Sequence, residues 1–170
     1  MKFAVRILFA SMLVAGMAAC AKKAVKTEAP VETAPVAQTK PADTSGKYKV
    51  GDLDSDSCLR QRVVYFDLDQ TNIKPQFQAQ ISCHAAYLRQ FPNARVTLEG
   101  NTDERGTREY NLGLGERRGN AVQSALSSAG AAYAQLTVVS YGEERPVDRG
   151  HDEAAWAKNR RVEIVYTSAN

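Results

Sequence analysis

The sequence predicts an α+β fold in which a mixed four-stranded β-sheet packs against two long helices, in the order β-α-β-α-β-β. Four short segments rich in β-branched and aromatic residues predict the strands. Two longer segments repeat apolar residues at helical spacing. Strands that alternate with long helices are typical of parallel or mixed sheets with right-handed crossovers. The first 57 residues show neither pattern, and we expect them to precede the folded domain.

Residues 1–19 have the layout of a secretory signal peptide, with a basic start, an apolar run and small residues before Cys20. The apolar run is too short to span a bilayer as an ordinary transmembrane helix. The stretch "MAAC" resembles a bacterial lipobox, which predicts that Cys20 becomes the lipidated first residue. Ala21 follows in place of aspartate, which in such lipoproteins implies sorting to the outer membrane. A plain cleaved signal or a buried N-terminal helix is the alternative.

Residues 20–57 are predicted to be the lipidated cysteine and a flexible linker. Alanine, proline, threonine and lysine dominate the stretch from Ala21 to Asp56, and no apolar period is present. Such a composition buries too little apolar surface to order itself, and its prolines favour extended conformations. At roughly 3.3 Å per residue, some 35 residues could reach on the order of 100 Å when stretched. We therefore expect a tether ahead of a domain at residues 58–170.

The first half of the domain is predicted to be strand, helix and strand. The stretch "RVVYFDLD" predicts a strand from Arg62 to Asp67, ended by turn-forming acids. Pro75 can occupy a first helical turn, and apolar residues then recur every three or four positions up to about Phe91. In "ARVTLEG" apolar and polar residues alternate, which predicts the second strand.

The second half begins with a long helix from Arg108 to Ala129. Strands follow at Leu136–Gly142 and Arg161–Tyr166, with a short helix at Asp152–Lys158 between them. On a helical wheel of the long helix, Arg118 falls in the middle of an apolar stripe that begins with Tyr110 and Leu114. An unpaired buried charge costs several kcal/mol, so this guanidinium must find an anion.

Two interpretations of Arg118 follow from this spacing, and the residues alone do not decide between them. It could form an internal salt bridge with Asp103, which follows the end of the second strand, or with Asp67, which ends the first. It could instead bind a ligand's carboxylate with its planar fork, in a crevice at the strand ends, while Asp103 binds the ligand's ammonium group. This second interpretation is strongest if the first two strands are neighbours. Asp103 could also be only a helix cap or turn residue.

Two cysteines remain after Cys20, namely Cys58 and Cys83. Export to an oxidising compartment predicts that they form a disulfide. The bridge would close a loop of about 25 residues, worth roughly 3 kcal/mol in the chain-entropy model. Two unpaired thiols are the alternative.

Charge and the remaining chemistry argue against several classes of function. Loss of Lys2 and Arg6 with the leader leaves 20 basic against 19 acidic side chains, so no basic field favours nucleic acid. His84 lies on an apolar helix face and is predicted to be a core residue, and His151 is explained by helix initiation. Neither histidine has zinc-site spacing with the cysteines, and no nucleophile-and-base set is visible. We expect no metal, no cofactor and no catalysis.

Three stretches of the sequence resemble a known family. The stretches "VYFDLD", "EGNTDERGTREYNLGLGERRGNAV" and "VSYGEERPVDRGHDEAAWAKNRRVEIVY" are similar to the OmpA C-terminal-like domain family, over about Val63 to Tyr166. The lipobox and linker resemble its lipoprotein members rather than the barrel-bearing ones. The resemblance implies non-covalent binding of peptidoglycan through the meso-diaminopimelate of a stem peptide. It also implies a periplasmic partner from the Tol system.

The resemblance assigns roles to individual residues. It implies that Asp103 and Arg118 face the ligand, and that the same pocket is lined by Phe66, Asp67, Asn101, Thr102 and Leu114. It implies supporting roles for Asn159 and Arg160. Two positions depart from the family: Asn101 stands where relatives often carry histidine, and Gly119 replaces a usual alanine. The competing hypothesis is a structural lipoprotein that acts through Tol contacts, with Asp103 and Arg118 only bridging each other.

Overall fold

The computed structural model describes residues 47–170. The predicted signal peptide, Cys20 and most of the predicted linker lie outside the described residues. The strands are β1 (Val63–Tyr65), β2 (Arg95–Asn101), β3 (Leu136–Gly142) and β4 (Arg161–Ser168). The helices are α1 (Asp52–Ser55), α2 (Gln78–Gln90), α3 (Arg108–Ser128) and α4 (Glu153–Asn159), with 3₁₀ turns at Pro75–Phe77 and Tyr133–Gln135. No helix within residues 47–170 is long and apolar enough to cross a membrane.

The four strands form one mixed sheet in the order β1-β4-β2-β3. β2 pairs in parallel with β3, and β4 pairs antiparallel with both β1 and β2. The predicted α+β class and mixed sheet are therefore confirmed. The assumption that the first two strands are neighbours is wrong, because β4 lies between them.

The ordered domain begins earlier than residue 58. Tyr48 and Leu53 are buried core residues, and α1 forms within the predicted linker. The Tyr48 backbone N–H donates to the Gln90 side chain at the end of α2 over 2.8 Å, and its ring lies 6.0 Å from the ring of Tyr87. Tyr48 and Leu53 are too far apart in the sequence to show a helical or strand period. The prediction therefore depended on composition and assigned both residues to the linker.

A disulfide and a buried histidine join the residues just before β1 to α2. Cys58 and Cys83 are bridged, with their Cα atoms 6.3 Å apart. His84 is fully buried, and its two ring nitrogens lie 2.9 Å from the Tyr166 hydroxyl and 3.0 Å from the Gln61 carbonyl oxygen. This is the core role predicted for His84, since both polar atoms of the ring have partners.

Glycines bring α3 unusually close to the sheet. A Cβ atom on Gly115 would lie 2.4 Å from the Ser140 Oγ atom, and one on Gly119 would lie 2.5 Å from a methyl group of Val138. The buried face of α3 is therefore partly glycine, which an apolar count does not register. The centre of the buried face of α3 is therefore displaced from the predicted apolar stripe. Tyr110, which we placed on that stripe, is 44% exposed.

Candidate ligand-binding cleft

A cleft opens where β2 ends and α3 begins, at the same edge of the sheet as the start of β4. It encloses a cavity of about 320 Å³. The loop after β1 closes its other side. The walls carry three arginines, two aspartates and several uncharged residues: Leu68, Asp69, Thr102, Asp103, Arg105, Gly106, Tyr110, Asn111, Leu114, Arg118 and Arg160.

Arg118 is completely buried, and among residues 47–170 its hydrogen bonds go to backbone carbonyls. Its Nε atom donates to the Gln70 carbonyl over 2.9 Å, and its two Nη atoms donate to the carbonyls of Asn101 and Asp67 over 3.0 Å each. A guanidinium has five N–H groups, so each Nη atom keeps one more. The Phe66 ring centre lies 5.3 Å from the guanidinium carbon.

No carboxylate neutralises Arg118 within the described part of the chain. None of the ion pairs in residues 47–170 involves it, so neither internal salt bridge, to Asp103 or to Asp67, is formed. Burial lowers the pKa of Arg118 to about 10, with the nearby charge of Asp103 opposing that effect. The side chain is therefore positively charged at neutral pH and faces a cavity.

Asp103 is also buried, but it is fully engaged by arginine. Its Oδ2 atom accepts from Arg105 over 2.6 Å and from Arg160 over 3.1 Å, and its Oδ1 atom accepts from the Nε and the backbone N–H of Arg105. Burial by itself raises the pKa of Asp103, but these hydrogen bonds outweigh it and hold the pKa below its usual value. The cap of α3 is Thr107, so Asp103 does not cap the helix.

Arg160 and Asn159 hold the parts of the cleft together. Arg160 donates to the Phe66 carbonyl over 3.2 Å and to Glu153 over 2.6 Å, in addition to Asp103. The Asn159 side chain accepts two backbone N–H groups from the loop before α4 and donates to a carbonyl of the same loop. Arg160 lines the cavity, whereas Asn159 does not and instead holds the loop before α4.

The other residues assigned by resemblance fall into two groups. Thr102 and Leu114 line the cavity. Phe66 and Asn101 do not: both are buried behind Arg118, and the Asn101 carbonyl is one of its acceptors. The Asp67 side chain is 65% exposed and pairs with Lys74 outside the cavity, so its contribution is its carbonyl.

Two buried polar atoms at the end of β2 have no hydrogen-bond partner within the described residues. They are the Oδ1 atom of Asn101 and the Oγ1 atom of Thr102. Buried polar groups are nearly always paired, so these two atoms are exceptions within the described residues. Thr102 lines the cavity, whereas Asn101 lies behind Arg118.

Sequence reasoning missed several polar residues on the walls of the cleft, namely Asp69, Arg105, Tyr110 and Asn111. Arg105 follows Asp103 by two positions, the spacing at which an aspartate accepts its neighbour's backbone N–H, and this signal was available. Asp69 adopts a positive φ of 56°, and the Tyr110 hydroxyl donates to it across the cleft mouth. That pairing joins residues 41 apart, which no local pattern indicates.

Together, fold and cleft define a small α+β domain whose cleft is lined by two buried arginines and a buried aspartate. Comparison with known proteins places it further. The model of the OmpA family matches residues 65–160. A peptidoglycan-associated lipoprotein of Haemophilus influenzae is 48% identical over 125 residues, which is 74% of this chain and 79% of the relative. Another, from Pseudomonas putida, is 53% identical over 115 residues, covering 67% and 69% of the two chains.

A solved structure agrees with these sequence relatives. The crystal structure of the peptidoglycan-associated lipoprotein from Burkholderia pseudomallei matches with a TM-score of 0.65 and 51% identity. The match covers 66% of this chain and 96% of that one. The chain described here belongs to the OmpA family.

Proposed function

We propose that this chain is a lipid-anchored protein of the outer membrane whose domain binds peptidoglycan without a covalent bond. Its ligand is the meso-diaminopimelate residue of a stem peptide, and binding tethers the outer membrane to the cell wall. The observation that carries this proposal is Arg118, a buried and charged guanidinium beside an open cavity. In the part of the chain that the structure describes, backbone carbonyls accept its hydrogen bonds and no carboxylate pairs with it.

The chemistry of diaminopimelate fits the charges of the cleft. Its far end carries a carboxylate and an ammonium group on one carbon. The two spare N–H groups of Arg118 suit the carboxylate, because a guanidinium fork binds a carboxylate bidentately. Asp103 is a buried aspartate on the wall of the same cavity, and it suits the ammonium group. Leu114, on the cavity wall, supplies apolar surface for the methylene chain between the two ends.

The names of the relatives point the same way. The proteins from Haemophilus influenzae, Pseudomonas putida and Burkholderia pseudomallei are each called a peptidoglycan-associated lipoprotein. Transferred to this chain, that name fits a lipidated Cys20, a linker long enough to leave the membrane surface, and a periplasmic domain. A Tol-system protein of the periplasm is the partner we propose, as part of a system for envelope integrity and cell division.

Binding, rather than catalysis, is the proposed activity. Attachment through charge-assisted hydrogen bonds to one amino-acid residue is reversible, and a single site of this kind is weak to moderate. Many copies on one membrane face would hold the wall through multivalency.

Titration of the folded domain with two stem peptides tests this proposal. One peptide contains meso-diaminopimelate and the other contains lysine at the same position. Lysine has the terminal amino group but lacks the second carboxylate, so the contact with Arg118 is missing. We expect the diaminopimelate peptide to bind at least about tenfold more tightly, since a charge-assisted bidentate contact is worth more than about 1.4 kcal/mol. Equal affinity for the two peptides would refute the proposed ligand.

A further inference from the structure

The cation-binding group of the cleft is already occupied by the protein itself. Each oxygen of the Asp103 carboxylate accepts two hydrogen bonds, and three of the four come from Arg105. A carboxylate has about four acceptor positions, so Asp103 has no position left for a ligand. An ammonium group can reach it only if one of the two arginines withdraws its side chain.

Arg160 is not free to withdraw. Its side chain is 6% exposed, and it also donates to the Phe66 carbonyl and to Glu153. Leaving would strand a buried carbonyl and a buried charge, which is costly. Arg160 therefore stays with Asp103 whether or not a ligand is present.

Arg105 has both the freedom and a place to go. Its side chain is 31% exposed, and it lies on the wall of the cavity. Its guanidinium carbon lies 4.1 Å from the centre of the Trp156 ring, and its Nη1 atom is 3.6 Å from Glu153. Away from Asp103 it would turn towards the Glu153 carboxylate, and this would change its position over the Trp156 ring.

We propose that Arg105 occupies the cation subsite of Asp103 in the free protein and yields it to the ammonium group of the ligand. This inference rests on the proposed function, and it adds a residue that sets affinity and selectivity. A ligand must replace a guanidinium, so only a positively charged group can take the subsite without leaving Asp103 short of a partner. Arg160 keeps the carboxylate in place during the exchange.

The exchange makes a prediction about the sign of a mutational effect. Affinity is reduced by the fraction of molecules in which the site is closed by its own side chain. Removing the competing guanidinium therefore strengthens binding, whereas removing a ligand contact weakens it. Arg117→Gln is the matched control, because Arg117 lies over the Tyr110 ring near the same cleft but is neither a wall of the cavity nor a partner of Asp103.

The experiment is calorimetric titration of the wild type, Arg105→Gln and Arg117→Gln with a diaminopimelate stem peptide. We expect Arg105→Gln to bind at least about threefold more tightly than wild type and Arg117→Gln to bind no more tightly. Circular dichroism verifies that each variant is folded. Unchanged or weaker binding by Arg105→Gln would overturn the inference. No binding by the wild type would instead refute the proposed function.

Trp156 provides a second readout, because it is the only tryptophan in the chain and Arg105 lies over its ring. Movement of Arg105 on ligand binding must change the fluorescence of Trp156 in the wild type. In Arg105→Gln the same peptide should produce a markedly smaller change. Wild-type fluorescence that stays constant at a peptide concentration that calorimetry finds saturating would show that Arg105 does not move, and the inference would be wrong.

Discussion

The α3 side and the α4 side of the cleft each bury an arginine, and they hold it in opposite ways. Arg160, at the end of α4, is paired with the carboxylates of Asp103 and Glu153. Arg118, in the middle of α3, donates to three backbone carbonyls and, within the described domain, to no carboxylate. Both residues are at most 5% exposed, so burial does not distinguish them. Their partners distinguish them. Carboxylates of the protein neutralise Arg160, whereas Arg118 is held by carbonyls and its charge remains available to a ligand.

This difference predicts that mutations on the two sides of the cleft affect different properties, namely stability on one side and ligand binding on the other. Breaking a buried ion pair leaves a buried charge without a partner, which destabilises the folded state strongly. Carbonyl acceptors position a guanidinium but do not neutralise it, so an incoming carboxylate still gains a full charge interaction. The α4 side should therefore respond to mutation mainly in the free energy of unfolding, and the α3 side mainly in ligand affinity.

The largest expected effect is on the α4 side. Arg160→Gln removes one of the two guanidinium partners of Asp103 and leaves Glu153 with a weaker contact. We expect the free energy of unfolding to fall by about 4 kcal/mol, because a buried hydrogen bond to a charged group is lost and the buried Phe66 carbonyl loses its donor. Urea denaturation at pH 7 measures this. A loss smaller than about 1 kcal/mol would mean that the two sides of the cleft do not differ as described.

Removal of the disulfide, which lies away from the cleft, tests whether stability can be lowered without changing ligand affinity. Cys58→Ser with Cys83→Ser opens a loop of 25 residues, which should lower the free energy of unfolding by about 3 kcal/mol. Neither cysteine lines the cavity, so the affinity of the folded protein for the diaminopimelate peptide should stay unchanged. A parallel loss of affinity would show that any destabilisation impairs binding, and the distinction between the two sides would lose its support.

Acid should weaken the core before it affects the cleft. Burial lowers the pKa of His84 to about 4 from an ordinary value of 6.5, so the unfolded chain takes up this proton at higher pH than the folded protein. Stability contributed by neutral His84 is therefore lost as pH falls from 6.5 towards 4, by about 3 kcal/mol in total. The pKa of Asp103 is lowered, so its contribution is lost only below its ordinary value of 3.8.

Denaturation curves of wild type and His84→Gln between pH 4 and 7 test this assignment. The wild type should lose stability across that range, and the variant should start lower at pH 7 but change much less with pH. His151 should behave in the opposite way. Pairing with Glu104 raises the pKa of His151, so its small contribution to the free energy of unfolding is lost as pH rises. Equal pH dependence in wild type and His84→Gln would contradict the account of the core.

The sequence was sufficient to place Arg118 on a buried helix face, because its position follows from helical periodicity around Leu114 and Val122. It could not identify the partners of Arg118. The three carbonyls belong to two loop positions and a strand end, Asp67, Gln70 and Asn101, which meet only after the sheet has formed. A side chain bonded to backbone leaves no signature in the types of the residues that accept.

Strand order and glycine packing were the other limits. Nothing local in Arg161–Ser168 indicates that it inserts between β1 and β2, since pairing choice depends on the whole chain. Gly119 costs helix propensity, yet it allows the close approach of α3 to β3. An apolar count treats such glycines as neutral, which is why the stripe that included Tyr110 was placed too far to one side.

The most direct test of the central claim is a thermodynamic cycle at Arg118. Wild type and Arg118→Lys are each titrated with the diaminopimelate peptide and with the lysine peptide. Lysine at position 118 keeps the charge but loses the planar fork, so we expect the variant to bind the diaminopimelate peptide about 10- to 100-fold more weakly. The affinity for the lysine peptide should change little, because that peptide lacks the carboxylate. Equal losses for both peptides would show that Arg118 supports the fold without contacting the ligand's acid group.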